Sequence, residues 1–217
     1  GVDRRYFALS LLICRDRSLT PAFCLYTLAE PKADTNRETI NEEILADKII
    51  EIFQRAQRRQ FDPVQSILVL RDGRECGREI EGIASAQKRL TSLGLLAEHA
   101  RVDVVDYHKQ SVAGIRLWNR NELGETNVLE GTALFLDDRR VVLATTGEAT
   151  ITQGAAEPSV LVANGDGIDM RAVITSVVAS AQLNWSSPRV AQRLPMPLKQ
   201  TDDELRRRTF QEIRGIR

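Results

Sequence analysis

The sequence is short of the residues on which several common chemistries depend. It has three cysteines in 217 residues, Cys14, Cys24 and Cys76, an odd number with no C-x-x-C pair. That argues against a secreted disulfide framework or a structural zinc site, and for a reducing, cytoplasmic setting. Only two histidines are present, His99 and His108, and neither G-x-S-x-G nor a P-loop accompanies them. A nucleophile–histidine hydrolase is therefore not expected. Aromatic residues make up 5% of the chain. No run approaches ~20 consecutive apolar residues, so no membrane-spanning helix is expected. Neither sign of charge is in excess, with 30 basic and 30 acidic residues. This balance excludes a histone-like arm, and any face that binds a polyanion must sort its charge locally. Internal repeats, low-complexity tracts and targeting peptides are absent from the sequence.

What the chain does have is a globular composition, 42% hydrophobic and 28% charged, sufficient for a sizeable core. Residues 4 to 14 (RRYFALSLLIC) and 21 to 29 (PAFCLYTLA) read as a hairpin. Ile44, Leu45, Ile49, Ile52, Phe53 and Ala56 recur at helical spacing, and Phe61-Asp62-Pro63 stops that helix. SILVLRDG reads as a strand buried on both faces, residues 77 to 91 as a helix, and VDVVDYH as another strand. From about residue 114, IRLWN, ALFLDD, RVVLATTG and SVLVANGDG are short strands. A helix bearing Met170, Ile174, Val177, Val178 and Ala181 follows, and a charged helix begins near Thr201. Strands first, then alternating helix and strand, indicate one α/β domain over residues 1–217, a mixed sheet with helices on its faces.

Two acidic residues stand at chemically suggestive places. Asp3 opens the first strand, and Asp72 ends the SILVL strand beside a glycine. In open α/β sheets ligands bind at carboxyl strand ends, although Asp-Gly alone also suits an ordinary turn. Asn164-Gly165-Asp166-Gly167, between a strand and a helix, reads as a plain loop more readily than as a phosphate cradle, since no Lys-Ser/Thr follows.

Six segments in order, GVDRRYFAL, RETI, ILVLRDGR, DYHKQSVAGIRLW, TQGAAEPSVLV and LNWSSPRVAQRLPMPLKQTDDELRRR, resemble the PIWI domain of Argonaute proteins, of the prokaryotic type. The resemblance covers essentially the whole chain. It implies a ribonuclease-H-like mixed sheet flanked by helices on both faces, and cleavage of a target strand paired to a short guide. The implied catalytic set is Asp3, Glu38, Asp72 and Asp202, with Asp3, Asp72 and Asp202 as ligands of two Mg²⁺ or Mn²⁺ ions. Glu42 and Glu43 compete with Glu38 for the mobile glutamate, and Glu38 also suits the first turn of a helix. Such chemistry needs carboxylates around two ions roughly 3.5–4 Å apart, and oxygen-only ligands favour these hard cations. A cytoplasmic role in host defence is implied by the same resemblance.

Between Ser186 and Arg217 eight basic residues face four acidic ones, the local excess a phosphate-binding face requires. The resemblance assigns guide contacts to Arg116, Arg193, Lys199 and Arg207. It also marks a departure: many members carry Arg where this chain has Glu157. The expected partners are guide and target nucleic acids (DNA or RNA) and a MID domain of the same protein. The chain starts at Gly1 without Met and ends in a charged helical run, as an excised or truncated domain would, with MID, PAZ and N-terminal domains absent. Trp118 and Trp185 could stack on bases, but their apolar neighbours Leu117 and Leu183 point to core or semi-core positions.

Overall fold

The computed structural model describes residues 6–14, 24–31, 39–58, 62–73, 78–109, 115–121, 124–147, 157–184 and 192–215. The chain divides into two compact units. The first comprises residues 1–67, 75–102 and 197–217, and the second residues 68–74 and 103–196.

In the first unit, β1 (Tyr6–Ile13) and β2 (Cys24–Pro31) pair antiparallel, Tyr6 opposite Pro31 and Ile13 opposite Cys24. Helix α1 (Glu42–Gln57) starts at Asn41, whose Oδ1 accepts from the Glu43 and Ile44 amides at 2.9 and 3.2 Å. The side chain thus satisfies two of the helix's orphan donors. Leu45, Ile52, Phe53 and Ala56 are buried as the spacing predicts, while Ile44 and Ile49 are half-buried. Helix α2 (Glu79–Ser92) crosses α1 at Gly82, where a Cβ would stand 2.7 Å from the Glu42 carbonyl oxygen. The core joins Ile50, Ile52 and Phe53 to Leu28, Leu90, Leu95 and Leu96. Each such side chain, fully buried, contributes roughly 1.5–3 kcal/mol.

The five-strand sheet has the order β3-β4-β9-β8-β7. Its first two strands are β3 (Val64–Asp72) and β4 (Leu96–His108). The Val64 amide bonds to the Leu95 carbonyl at one end and the Gly73 amide to the Tyr107 carbonyl at the other, so the two strands run parallel. The remaining pairs among β7 (Ala133–Phe135), β8 (Arg140–Leu143) and β9 (Ser159–Ala163), and β4 with β9, are antiparallel. The sheet is therefore mixed. Its centre is Val105, Tyr107, Val141, Val142, Leu143 and Leu161, all without solvent exposure. In the second unit β5 (Trp118–Asn121) and β6 (Gly124–Asn127) form a separate hairpin. Helix α3 (Met170–Gln182) buries Met170, Val173, Val177 and Ala181. Helix α4 (Met196–Gly215) completes an α/β fold.

Three sequence expectations need correction. β3 is not buried on both faces: Ile67 to Leu70 are half-buried, and β3 stands at the end of the described strand order. The last helix begins at Met196, not near Thr201, because Pro197 falls in its first turn, where its missing amide costs nothing. Trp118 is 51% exposed. The period of two turns Leu117 towards Val128 and Ala144, and Trp118 beside it outward.

Candidate functional site

Asp72 closes β3, and the left-handed Gly73 (φ 86°) turns the chain away immediately after it. Only glycine takes that conformation without strain. The Gly73 amide bond to Tyr107, 3.1 Å long, ties this corner to the end of β4. Because side chains alternate, the neighbouring Arg71 points the opposite way and is buried. Its Nε and Nη2 both donate to Asp106 Oδ1, at 2.8 and 2.6 Å, and Asn164 Nδ2 donates to the same oxygen at 2.6 Å. This buried pair pins β3, β4 and the loop after β9 behind the Asp72 corner.

The Asp72 carboxylate, 24% exposed, meets Lys109 Nζ at 2.8 Å. Lys109 links onward, since its carbonyl accepts from Arg193 Nη2. Arg193 Nη1 lies 3.1 Å from Glu157 Oε2, and Arg116 Nη1 lies 3.8 Å from Glu157 Oε1. The Arg193 backbone is fixed as well: its carbonyl accepts from Tyr107 Oη at 3.0 Å and from Thr145 Oγ1 at 2.6 Å. Ser159 Oγ in turn donates to Tyr107 Oη at 2.8 Å. Burial pushes the Tyr107 phenol well above its ordinary pKa, so it remains a neutral donor. One polar chain thus runs Asp72–Lys109–Arg193–Glu157–Arg116 within the second unit.

On α4 the basic residues are also paired. Lys199 Nζ bonds to Asp203, and Arg207 holds Glu204 through Nε at 2.9 Å and Nη2 at 2.6 Å. Arg208 shares Glu204 at 3.2 Å. The hydrogen bond from Arg207, with that from Arg208, lowers the Glu204 pKa below the usual carboxylate range despite partial burial.

The backbone of this arrangement has known counterparts. The chain aligns with the structure of Aquifex aeolicus Argonaute at 17% identity and a TM-score of 0.54, over 94% of this chain and 28% of that one. It aligns with Clostridium butyricum Argonaute, bound to a guide DNA and a 19-mer target DNA, at 14% identity and a TM-score of 0.58, over 93% and 26% of the two chains. The fold is PIWI-like. This PIWI-like chain spans about a quarter of the length of the Argonaute chains it matches. No protein-family model and no curated protein matches its sequence.

Of the residues named from the sequence, Arg116 and Arg193 are brought together on Glu157, and Asp72 joins them through Lys109. Asp3, Glu38 and Trp185 lie outside the described residues. Asp202 lies on α4 in the first unit, as do Lys199 and Arg207. The competing Glu42 sits in the first turn of α1 and pairs with Arg78 at 2.7 Å, and Glu43 beside it is exposed. Among the described residues, no three His, Cys, Asp or Glu side chains gather as a metal site. Asp72 has the donor type a hard cation takes, and Lys109 supplies the positive charge beside it. Asn164-Gly165-Asp166-Gly167 is a plain turn: Asp169 Oδ1 already accepts from the Arg171 and Ala172 amides at the N-terminus of α3. Among the described residues, no helix is long and apolar enough to cross a membrane.

Sequence reasoning missed Lys109, Asp106 and Tyr107. The residues they engage are 35 to 86 positions away, so no local pattern announces them. Alternation along VDVVDYH carried one usable signal, a charged Asp106 inside an apolar strand.

Proposed function

We propose that this chain is the nuclease module of a guide-dependent endonuclease, holding a guide and its paired target strand and hydrolysing one phosphodiester bond of the target. The observation that carries the reading is the PIWI-like fold, matched over nearly the whole chain by an Argonaute bound to guide and target DNA, with Asp72 at the carboxyl end of β3. In this reading Asp3, Asp72 and Asp202 hold two Mg²⁺ or Mn²⁺ ions, and Glu38 completes the set. Bound ions would supply an activated water and charge neutralisation at the scissile phosphate. The chain's own residues do the positioning: Arg71–Asp106 fixes the Asp72 corner, and Arg116, Arg193, Lys199 and Arg207 bind phosphates. Lys109 must release Asp72 for a cation to reach both of its oxygens.

That last requirement favours a second reading, a module that binds guide and target without cutting, in which Lys109 permanently neutralises Asp72. The two are separated in the protein containing this chain by incubating a guide-matched strand with Mg²⁺ or Mn²⁺. The nuclease reading expects cleavage by the wild type, and Asp72→Asn should reduce it at least about a hundredfold, as loss of a group essential to the transition state does. Oligonucleotide affinity should be retained. Undiminished cutting by Asp72→Asn would sink the assignment, and a wild type that binds but never cuts would establish the second reading.

A further inference from the structure

Two guanidinium groups converge on one half-exposed carboxylate. Arg193 and Arg116 lie 3.1 and 3.8 Å from the two oxygens of Glu157, whose side chain is 37% exposed. The two cations and one anion leave a net positive charge at the spot. Arg193 is braced for the role, because its carbonyl is held by Tyr107 and Thr145 and its Nη2 by Lys109. The braces fix where the guanidinium stands whether or not Glu157 is present. Its Nε is buried and without a hydrogen-bond acceptor, so Glu157 leaves the donor set of Arg193 incompletely used. A carboxylate between two arginines occupies the place of a phosphate oxyanion, which offers more acceptor oxygens to the same fork.

We propose that Glu157 is a built-in competitor for a nucleic-acid phosphate: it occupies the Arg116–Arg193 subsite when no strand is bound, and a backbone phosphate displaces it. The inference rests on the nucleic-acid reading above and adds a control to it. Glu157 sets the threshold of binding by making the strand's phosphate exchange with a carboxylate already in place. The displaced carboxylate turns to solvent, where its exposure already lets it hydrate.

The test uses a fluorescently labelled short single-stranded DNA and the protein containing this chain, with affinity measured by anisotropy across a salt series. Glu157→Gln keeps the shape and removes the charge. It should tighten binding about two- to fivefold, the range of one partly exposed ion pair, and steepen the salt dependence by up to about one phosphate contact. Glu157→Ala should act in the same direction, which guards against a peculiarity of the amide. In an Arg116→Gln/Arg193→Gln background, which itself weakens binding, the Glu157→Gln gain should vanish. If Glu157→Gln changes neither affinity nor slope while the double arginine variant binds more weakly, the competitor role is overturned and the nucleic-acid reading stands. If neither the wild type nor any variant binds the oligonucleotide, the nucleic-acid reading fails and the competitor role with it.

Discussion

Tyr107 carries its hydroxyl into the interior of the second unit, where it donates to the Arg193 carbonyl and accepts from Ser159. The phenol is fully buried, and burial raises its pKa above the ordinary 10.0. A group whose folded pKa lies above its unfolded value contributes stability that is complete below the unfolded value. That contribution is lost as pH rises towards the folded one. The wild type should therefore lose melting temperature above about pH 10, where unfolded tyrosine ionises. Tyr107→Phe should cost about 1–2 kcal/mol at neutral pH by stranding the Ser159 hydroxyl, yet flatten the alkaline fall. Thermal melts of both proteins at pH 8 to 11 would check this, and parallel alkaline slopes would refute it. Arg71–Asp106 obeys related physics, since breaking a buried pair leaves a charge without compensation.

At the scale of elements, the crossing of α1 and α2 depends on Gly82, where the Glu42 carbonyl leaves no room for a Cβ. Gly82→Ala has better helix propensity, but the contact must open. It should lower unfolding stability by about 1–3 kcal/mol, as overpacking does. A denaturant midpoint equal to or above the wild type's would show that the helices shift at no cost. Elements of this kind were largely legible in the sequence, because periodicity is local. The helical spacing of Ile44, Leu45, Ile49, Ile52, Phe53 and Ala56 announced α1, and the run VDVVDYH announced β4. Other features depend on partners far along the chain. Trp118 has apolar neighbours in sequence yet faces outward, because alternation along β5 turns Leu117 instead towards Val128 and Ala144. Asp72 was legible by its place before Gly73, but the Lys109 that meets it, 37 residues on, had no sequence signature.

At the scale of the whole chain, a net charge of zero means that attraction of a polyanion depends on how charge is sorted locally. Each basic residue assigned to phosphate contact is already engaged: Arg116 and Arg193 with Glu157, Lys199 with Asp203, and Arg207 with Glu204. Binding a strand would then be an exchange of anions, not a filling of empty cationic sites. When a phosphate takes an arginine, the strand releases a counterion, but the freed carboxylate recruits a cation from solution. The two partly cancel in the salt dependence. A single strand ordinarily shows a slope of about −0.7 per neutralised phosphate, and here the wild-type slope should be shallower than its phosphate contacts imply. The triple variant Glu157→Gln/Asp203→Asn/Glu204→Gln removes three competing carboxylates and should steepen the slope by up to about 2, roughly 0.7 per site. Its affinity should rise most at low salt, where the unpaired cations are least screened. Each substitution should contribute separately, because Glu157 lies outside α4 and the α4 carboxylates serve different cations. The measurement is oligonucleotide affinity against salt concentration for the wild type, the three single variants and the triple. Superimposable slopes would mean that the carboxylates stay on their cations in the complex, and that phosphate is bound by other residues.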